Sequence, residues 1–238
     1  MENNGASRAE IMIVDDERLV RAGIAGLLEG EGYAVRQARD GDEALALFRE
    51  HPCDLALLDV MMPGRNGYAT CADLRHLSPQ LPILFLTAKD TDLAEVRGFG
   101  AGADDFIPKS ASEAVLLARI ARAIARSREA GFASVVSSLA GIVRLGSVSV
   151  DLTTLEVSDG QGRGLARLTR TEAEILRLLE RARGRTLSLE TLIGELRGEG
   201  FACEDTMAYV HIHNLRAKLG PESERIVNLR GSGYRLLV

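Results

Sequence analysis

Five side chains in the N-terminal half are of types that together could handle a phosphoryl group: Asp15, Asp16, Asp59, Thr87 and Lys109. Each lies at or just beyond the end of a short apolar run, at 11–14, 55–58, 83–86 and 105–107. If those runs are neighbouring strands, all five side chains meet at one rim. Three carboxylates brought together repel one another unless a cation sits among them, and hard oxygen ligands select magnesium. Magnesium is commonly held by one or two carboxylates plus phosphate oxygens, and a lysine and a hydroxyl can take the remaining phosphoryl oxygens. A carboxylate can itself accept the phosphoryl group, which makes Asp59 the candidate nucleophile. A lone aspartate after a strand is more often a helix cap, and Asp42 is read that way.

The elements that must position these residues alternate in type. Apolar runs at 11–14, 34–37, 55–58, 83–86 and 105–107 are each followed by residues at helical spacing, near 19–28, 42–48, 68–77, 93–99 and 115–124. Ser110 and Glu113 have capping-box spacing at the start of the last helix. Strands that are apolar almost throughout, joined by helices, predict a parallel sheet covered on both faces. The expected fold is α/β, a doubly wound five-stranded parallel sheet of flavodoxin-like type. Ligands of such sheets sit beyond the carboxyl ends of the strands.

The second half is organised differently. Residues 127–138 turn small and polar, as in a linker. Short strand-like runs at 143–145, 148–152 and 155–157 predict a small antiparallel sheet. Thr169 and Glu172 form a second capping box, opening a helix with Ile175, Leu176, Leu178 and Leu179 on its apolar side. Helices near 188–197 and 205–219 precede a terminal hairpin turned through Gly231 and Gly233. Helix, helix, hairpin reads as a smaller α+β winged helix-turn-helix domain. The expected division is a tail over 1–9, a first domain over 10–126, a linker over 127–141 and the winged helix over 142–238.

Composition sets the class. At 238 residues, 46% hydrophobic and 26% charged, the chain has the balance of a globular protein of two ordinary domains. Residues 1–125 carry 20 acidic and 13 basic side chains, a net −7, whereas residues 126–238 carry 14 and 16, a net +2. An acidic half suits a cation, and a slightly basic half permits an anionic partner. Cys53, Cys71 and Cys203 lack disulfide or zinc spacing and read as reduced, partly buried thiols. Neither a signal sequence nor a membrane-length apolar run is visible, so a cytoplasmic protein without a membrane partner is expected.

Taken in order, Ile-Val-Asp15-Asp16-Glu, Leu-Leu-Asp59-Val-Met-Met-Pro63-Gly64-Arg-Asn-Gly67, Leu-Thr87-Ala88, Gly-Ala-Asp104-Asp105-Phe106 and Lys109 resemble the receiver domain of bacterial two-component response regulators. Leu215-Arg216-Ala217-Lys218-Leu219 and Arg230-Gly-Ser-Gly-Tyr234-Arg235 resemble the winged-helix output domain of the OmpR/PhoB type. The resemblance covers nearly the whole chain. It implies that Asp59 accepts a phosphoryl group from a sensor histidine kinase and that Asp15, Asp16 and Asp59 hold Mg2+. It further implies that Lys109 pairs with the phosphate and that Thr87 and Phe106 form a switch pair. Phosphorylation then promotes a homodimer that binds promoter DNA, with RNA polymerase as a further candidate contact. No enzymatic output is expected, because the last hundred residues carry no nucleophile–base set or metal-ligand cluster. Met61 and Met62 are read as local packing.

The chain departs from the family pattern in three places. Ser110 stands after Lys109 where the family has proline; the backbone is therefore expected to run trans, and the position of Lys109 comes into question. On the dimer face, Asp105 with Arg119 and Asp104 with Arg122 match intersubunit pairs of the family, but the third position has Glu95 and Val115, which cannot pair. Exposed ion pairs contribute only about 0–1 kcal/mol each, so the dimer expectation stands.

In the candidate recognition helix, Ala208, Ile212, Leu215 and Leu219 form the buried stripe. The other face offers Thr206, Tyr209, His213, Asn214 and Arg216 to DNA, with Lys218 beside them and Arg230 in the wing. Thr206, Tyr209 and Asn214 replace residues that are commonly charged in the family, so fewer counterions are released and the salt dependence is expected to be shallow. His211 and His213, two apart, do not share a helix face and do not form a metal pair. Two alternatives stay open: a DNA-binding regulator that ignores phosphorylation, and an adaptor whose winged helix binds protein.

Overall fold

The computed structural model describes residues 8–88, 101–136, 141–199, 205–229 and 231–237. The helix expected over 93–99, with Glu95, lies outside the described residues, as do Cys203, Arg230 and the side chain of Thr206. The chain divides into two compact units, Met1–Ser127 and Arg128–Val238.

The first unit is a five-stranded parallel sheet in the order β2-β1-β3-β4-β5. Its strands are β1 (Arg8–Val14), β2 (Tyr33–Ala38), β3 (Leu55–Asp59), β4 (Ile83–Thr87) and β5 (Asp105–Pro108). The helices are α1 (Arg18–Gly30), α2 (Gly41–Glu50), α3 (Gly67–Leu77) and α4 (Glu113–Val136), the last being the helix predicted over 115–124. Every residue of β3 and β4 is buried, as a central parallel strand covered on both faces requires. Side chains alternate between the faces. Ile11, Ile13, Leu55, Leu57, Leu84 and Leu86 join Leu28 of α1 and Ile120 of α4 in one core. On the opposite face Phe85 meets Tyr68 of α3, ring centroids 5.4 Å apart.

Local details correct two sequence expectations and add to a third. The cap of α2 is Asp40, whose carboxylate accepts from the Glu43 N–H at 2.8 Å, while Asp42 in the first turn bonds Arg65 instead. The cap of α4 is Ser112, whose Oγ accepts from the Val115 N–H at 3.4 Å. Glu113 is then the first helical residue and not the third, two positions short of a box with Ser110. α4 also runs on through Val136, into the stretch expected as linker. Arg128, Glu129, Ala130 and Ala133 are good helix formers, and an established helix propagates through the weaker formers between and after them without a new nucleus.

The second unit holds a four-stranded antiparallel sheet, β6 (Ile142–Leu145), β7 (Val148–Asp151), β8 (Glu156–Asp159) and β9 (Gly164–Arg167). β9 escapes a pattern-based reading because none of its residues is buried. Helices α5 (Arg170–Arg181), α6 (Leu189–Gly198) and α7 (Asp205–Leu219) follow, then a 3-10 turn (Gly220–Arg225) and the hairpin of β10 (Ile226–Leu229) and β11 (Gly233–Leu236). The capping box of Thr169 and Glu172 is present in both directions. Gly233 has φ +120, and a Cβ there would collide with the Leu187 carbonyl, so the hairpin closes against the entry to α6 only with glycine. Cys53 and Cys71 are unpaired thiols, half-buried and buried.

Candidate functional site

β1 and β3 are neighbours at the point where strand order reverses, the place in a doubly wound sheet where a crevice opens beyond the strand ends. Their register pairs Val14 with Leu58, so the next residues, Asp15 and Asp59, leave the sheet side by side. The register of β3 with β4 pairs Asp59 with Leu86, which puts Thr87 one residue further along the same rim. β5 completes the set: the Lys109 N–H donates to the Thr87 carbonyl at 2.7 Å.

The side chains converge as their spacing predicts. Asp15, Asp16 and Asp59 each offer a carboxylate oxygen, all within 4.8 Å of one another; Asp15 and Asp59 are buried and Asp16 is exposed. Lys109 Nζ is 2.7 Å from Asp15 Oδ2 and 3.3 Å from Asp59 Oδ1. With Ser110 after it, Lys109 still reaches both carboxylates, and the described residues contain no cis peptide bond. Burial pushes the Asp59 carboxyl above the usual carboxylate range and the Asp15 charge adds to this, while Lys109 pulls the other way. Burial pulls the Lys109 ammonium down, but Asp15 and Asp59 together hold its pKa above the ordinary lysine value. One ammonium thus faces three carboxylates at an opening lined by oxygen donors, a donor set that fits a divalent hard cation.

Residues beyond the predicted set support this one. The Asp15 carboxylate accepts from the Glu17 N–H at 2.8 Å, and Arg21 donates to the Asp15 carbonyl at 2.6 Å, fixing the first loop. Gly67 begins α3 with its backbone against Asp59, and any Cβ would overlap the Asp59 carbonyl oxygen. The run Pro63-Gly64-Arg-Asn-Gly67 held that signal without revealing its cause. Met61 is 77% exposed beside Asp59, so it is no packing residue, whereas Met62 is buried.

Thr87 is buried at the end of β4 and Phe106 is buried on β5, its ring centroid 5.0 Å from that of Phe85. The carboxylates expected on the dimer face have partners within the chain. Asp105 binds Arg119 of the same chain at 2.7 Å. The Asp104 carboxylate, with 1% of its side chain exposed, bonds Arg75 at 2.9 Å and the Ile83 N–H at 2.9 Å.

In the second unit the stripe of α7 is as expected: Ala208, Ile212, Leu215 and Leu219 are buried. Tyr209 is half-exposed and His213 exposed, while His211 is buried, so the two histidines face apart. The two cations, both half-buried, have partners within the domain. Arg216 donates to the Ile226 carbonyl from Nε at 2.9 Å and from Nη2 as well. Lys218 Nζ is 2.6 Å from the buried Glu172. A concavity of about 400 Å3 opens beside them, lined by His213, Arg216, Ala217, Gly220, Ser223 and Glu224.

Residues 11–121 match the family of the response regulator receiver domain, and residues 162–236 match that of the transcriptional regulatory protein, C terminal. The response regulator MprA of Mycobacterium tuberculosis is 36% identical over 228 residues, spanning 95% of this chain and 96% of that protein. MprA of Mycobacterium ulcerans is 37% identical over the same shares. Among solved structures, NtrX from Brucella abortus superposes with a TM-score of 0.53 at 30% identity, over 57% of this chain and 31% of that one. A RitR mutant superposes with a TM-score of 0.77 at 23% identity, over 97% of this chain and 99% of that one, a likeness of fold.

Proposed function

The chain belongs to the response regulators, with a receiver followed by a transcriptional-regulatory, DNA-binding C-terminal domain, and on that premise we propose that phosphorylation of Asp59 by a sensor histidine kinase controls its DNA binding. The observation that carries the reading is the Lys109 ammonium shared between Asp15 and Asp59, inside a cluster of three carboxylates.

An Asp59 carboxylate oxygen attacks phosphorus; the P–N bond to the donor's imidazole breaks, and the imidazole leaves and takes up a proton. Lys109 holds the incoming phosphoryl oxygens as a positive charge fixed in advance. Asp15, Asp16 and Asp59 are the residues that would hold Mg2+, which when bound neutralises charge developing on the phosphoryl group. Thr87, one residue beyond the partner of Asp59, supplies a hydroxyl to the same group, and Phe106 is the buried ring coupled to it. An apolar groove lined by Leu19, Val20, Ile24 and Leu116 reaches Lys109, and Leu19 is 87% exposed, which favours a protein donor over a small molecule. Phosphorylation favours a homodimer on two DNA half-sites, in the cytoplasm where kinase and chromosome meet. Among the described residues no helix is long and apolar enough to cross a membrane.

The test is the mass gained on incubation with acetyl phosphate and magnesium, followed by capture of sheared genomic DNA with and without beryllofluoride. Gain of one phosphoryl group by the wild type but not by Asp59→Asn, with a repeated half-site enriched only with the mimic, is the expected result. Equal enrichment in both samples would instead mean a regulator that ignores phosphorylation, and no enriched DNA would mean an adaptor.

A further inference from the structure

The apolar stripe of α7 seats the helix on its domain, but apolar contact is non-directional and leaves its roll and tilt loosely defined. Directional bonds from two side chains complete the definition. Lys218 reaches the Glu172 Oε2 at 2.6 Å, and that same oxygen accepts the Thr169 N–H at 2.7 Å in the capping box of α5. Arg216 donates twice to the Ile226 carbonyl, at the first residue of the hairpin strand β10. One cation therefore bolts α7 to α5 and the other bolts it to the wing hairpin.

We infer that Arg216 and Lys218 are positioning residues that set the angle of the recognition helix and do not touch DNA, leaving Tyr209 and His213 as specificity-determining residues. The inference rests on the DNA-binding reading of the second unit and deepens it. Glu172 is only 1% exposed, so Lys218 could leave for a phosphate only by stranding a buried carboxylate. Arg216 likewise would give up both bonds to Ile226. Tyr209 and His213 are four residues apart, hence on one face, and both are open to solvent. Tyr209 is braced from behind by the ring of Tyr234, 6.3 Å away edge to face, so its orientation is set by the hairpin that Arg216 ties down. A ring and an imidazole on that face suit a thymine methyl and a purine edge in the major groove.

The experiment uses the full chain with beryllofluoride and two duplexes: a mixed-sequence duplex, and the duplex that the wild type enriches from a random-sequence pool. Lys218→Met is paired with Glu172→Gln, which keeps the capping acceptor without a stranded charge, and Arg216→Met and Lys218→Arg are measured beside it, all per folded molecule. The expected result is an unchanged salt slope on the mixed-sequence duplex. Preference for the enriched duplex should fall by about tenfold in the double variant and in Arg216→Met, comparable to the discrimination one side chain gives between bases. Lys218→Arg should retain the preference. A slope reduced by about 0.9 for each cation removed would place those cations on phosphates and overturn the inference. An unchanged preference would also overturn it, since the bolts would then serve stability alone. If the wild type binds neither duplex, the DNA-binding reading itself fails, a result visible before any variant is made.

Discussion

Lys109 Nζ lies 3.3 Å from Asp59 Oδ1 although Ser110, and not proline, follows it in the chain. Its backbone is held by other means: the Lys109 N–H bonds the Thr87 carbonyl at 2.7 Å, and the Ala111 N–H closes a turn on the Pro108 carbonyl at 2.9 Å. Strand pairing and a turn do here what a proline ring does by restricting the chain.

Lys109→Met should therefore slow phosphoryl gain at Asp59 by roughly 100-fold, the order seen when one fixed electrostatic donor is taken from a transfer site. Time-resolved intact mass with acetyl phosphate and magnesium measures it. A rate within a few-fold of wild type would mean that Lys109 does not hold the incoming oxygens.

Gly67→Ala places a methyl on the Asp59 carbonyl, where backbone must move. A cost of about 1–3 kcal/mol in urea unfolding of the receiver is expected, together with slowed phosphorylation, because the displaced backbone carries the acceptor. Gly64→Ala, whose Cβ would enter open space at φ +73, should lower stability through backbone strain while leaving the phosphorylation rate nearly unchanged.

Arg75→Met leaves the Asp104 carboxylate buried without its ion partner, a change that typically costs about 3–5 kcal/mol. Arg75 also bonds the Gly102, Pro79 and Leu81 carbonyls, so the loops at the start of β4 and β5 should loosen together. The double variant Arg75→Met with Asp104→Leu should recover part of the loss. Urea midpoints of the single and double variants decide this, and equal midpoints would show that Asp104 is not the stranded group.

Burial pushes the Asp105 carboxyl up to about 6, from 3.8, against the pull of Arg119 and Arg126. Between those values the folded chain binds more protons than the unfolded chain, so stability falls as pH rises. Below about pH 4 both states are protonated; above about pH 6 the full cost of the buried charge is present. Asp105→Asn removes the titration, and the stability of wild type minus that of the variant should fall by roughly 2–3 kcal/mol across that interval. A difference that stays flat or rises with pH would contradict the direction of the shift.

Much of the receiver was legible in the chain because its signals are local and redundant. Apolar runs end in Asp15, Asp59, Thr87 and Lys109, and parallel strands of one sheet must end on one rim, so convergence followed from pattern alone. The stripe Ala208, Ile212, Leu215, Leu219 was equally explicit, since a 3.6-residue period fixes which side is buried.

What tertiary structure alone decided was the partner of each charge. Arginine and lysine carry the same signal in sequence whether they face DNA or their own domain, and only the fold brings Lys218 to Glu172, 46 residues away, and Arg216 to Ile226. Asp104 and Asp105 are adjacent in sequence and of one residue type. Strand alternation sends neighbouring side chains to opposite sides, so one meets Arg75 and the other Arg119. Periodicity determines which residues are inside; which charges meet there depends on distances that sequence spacing does not contain.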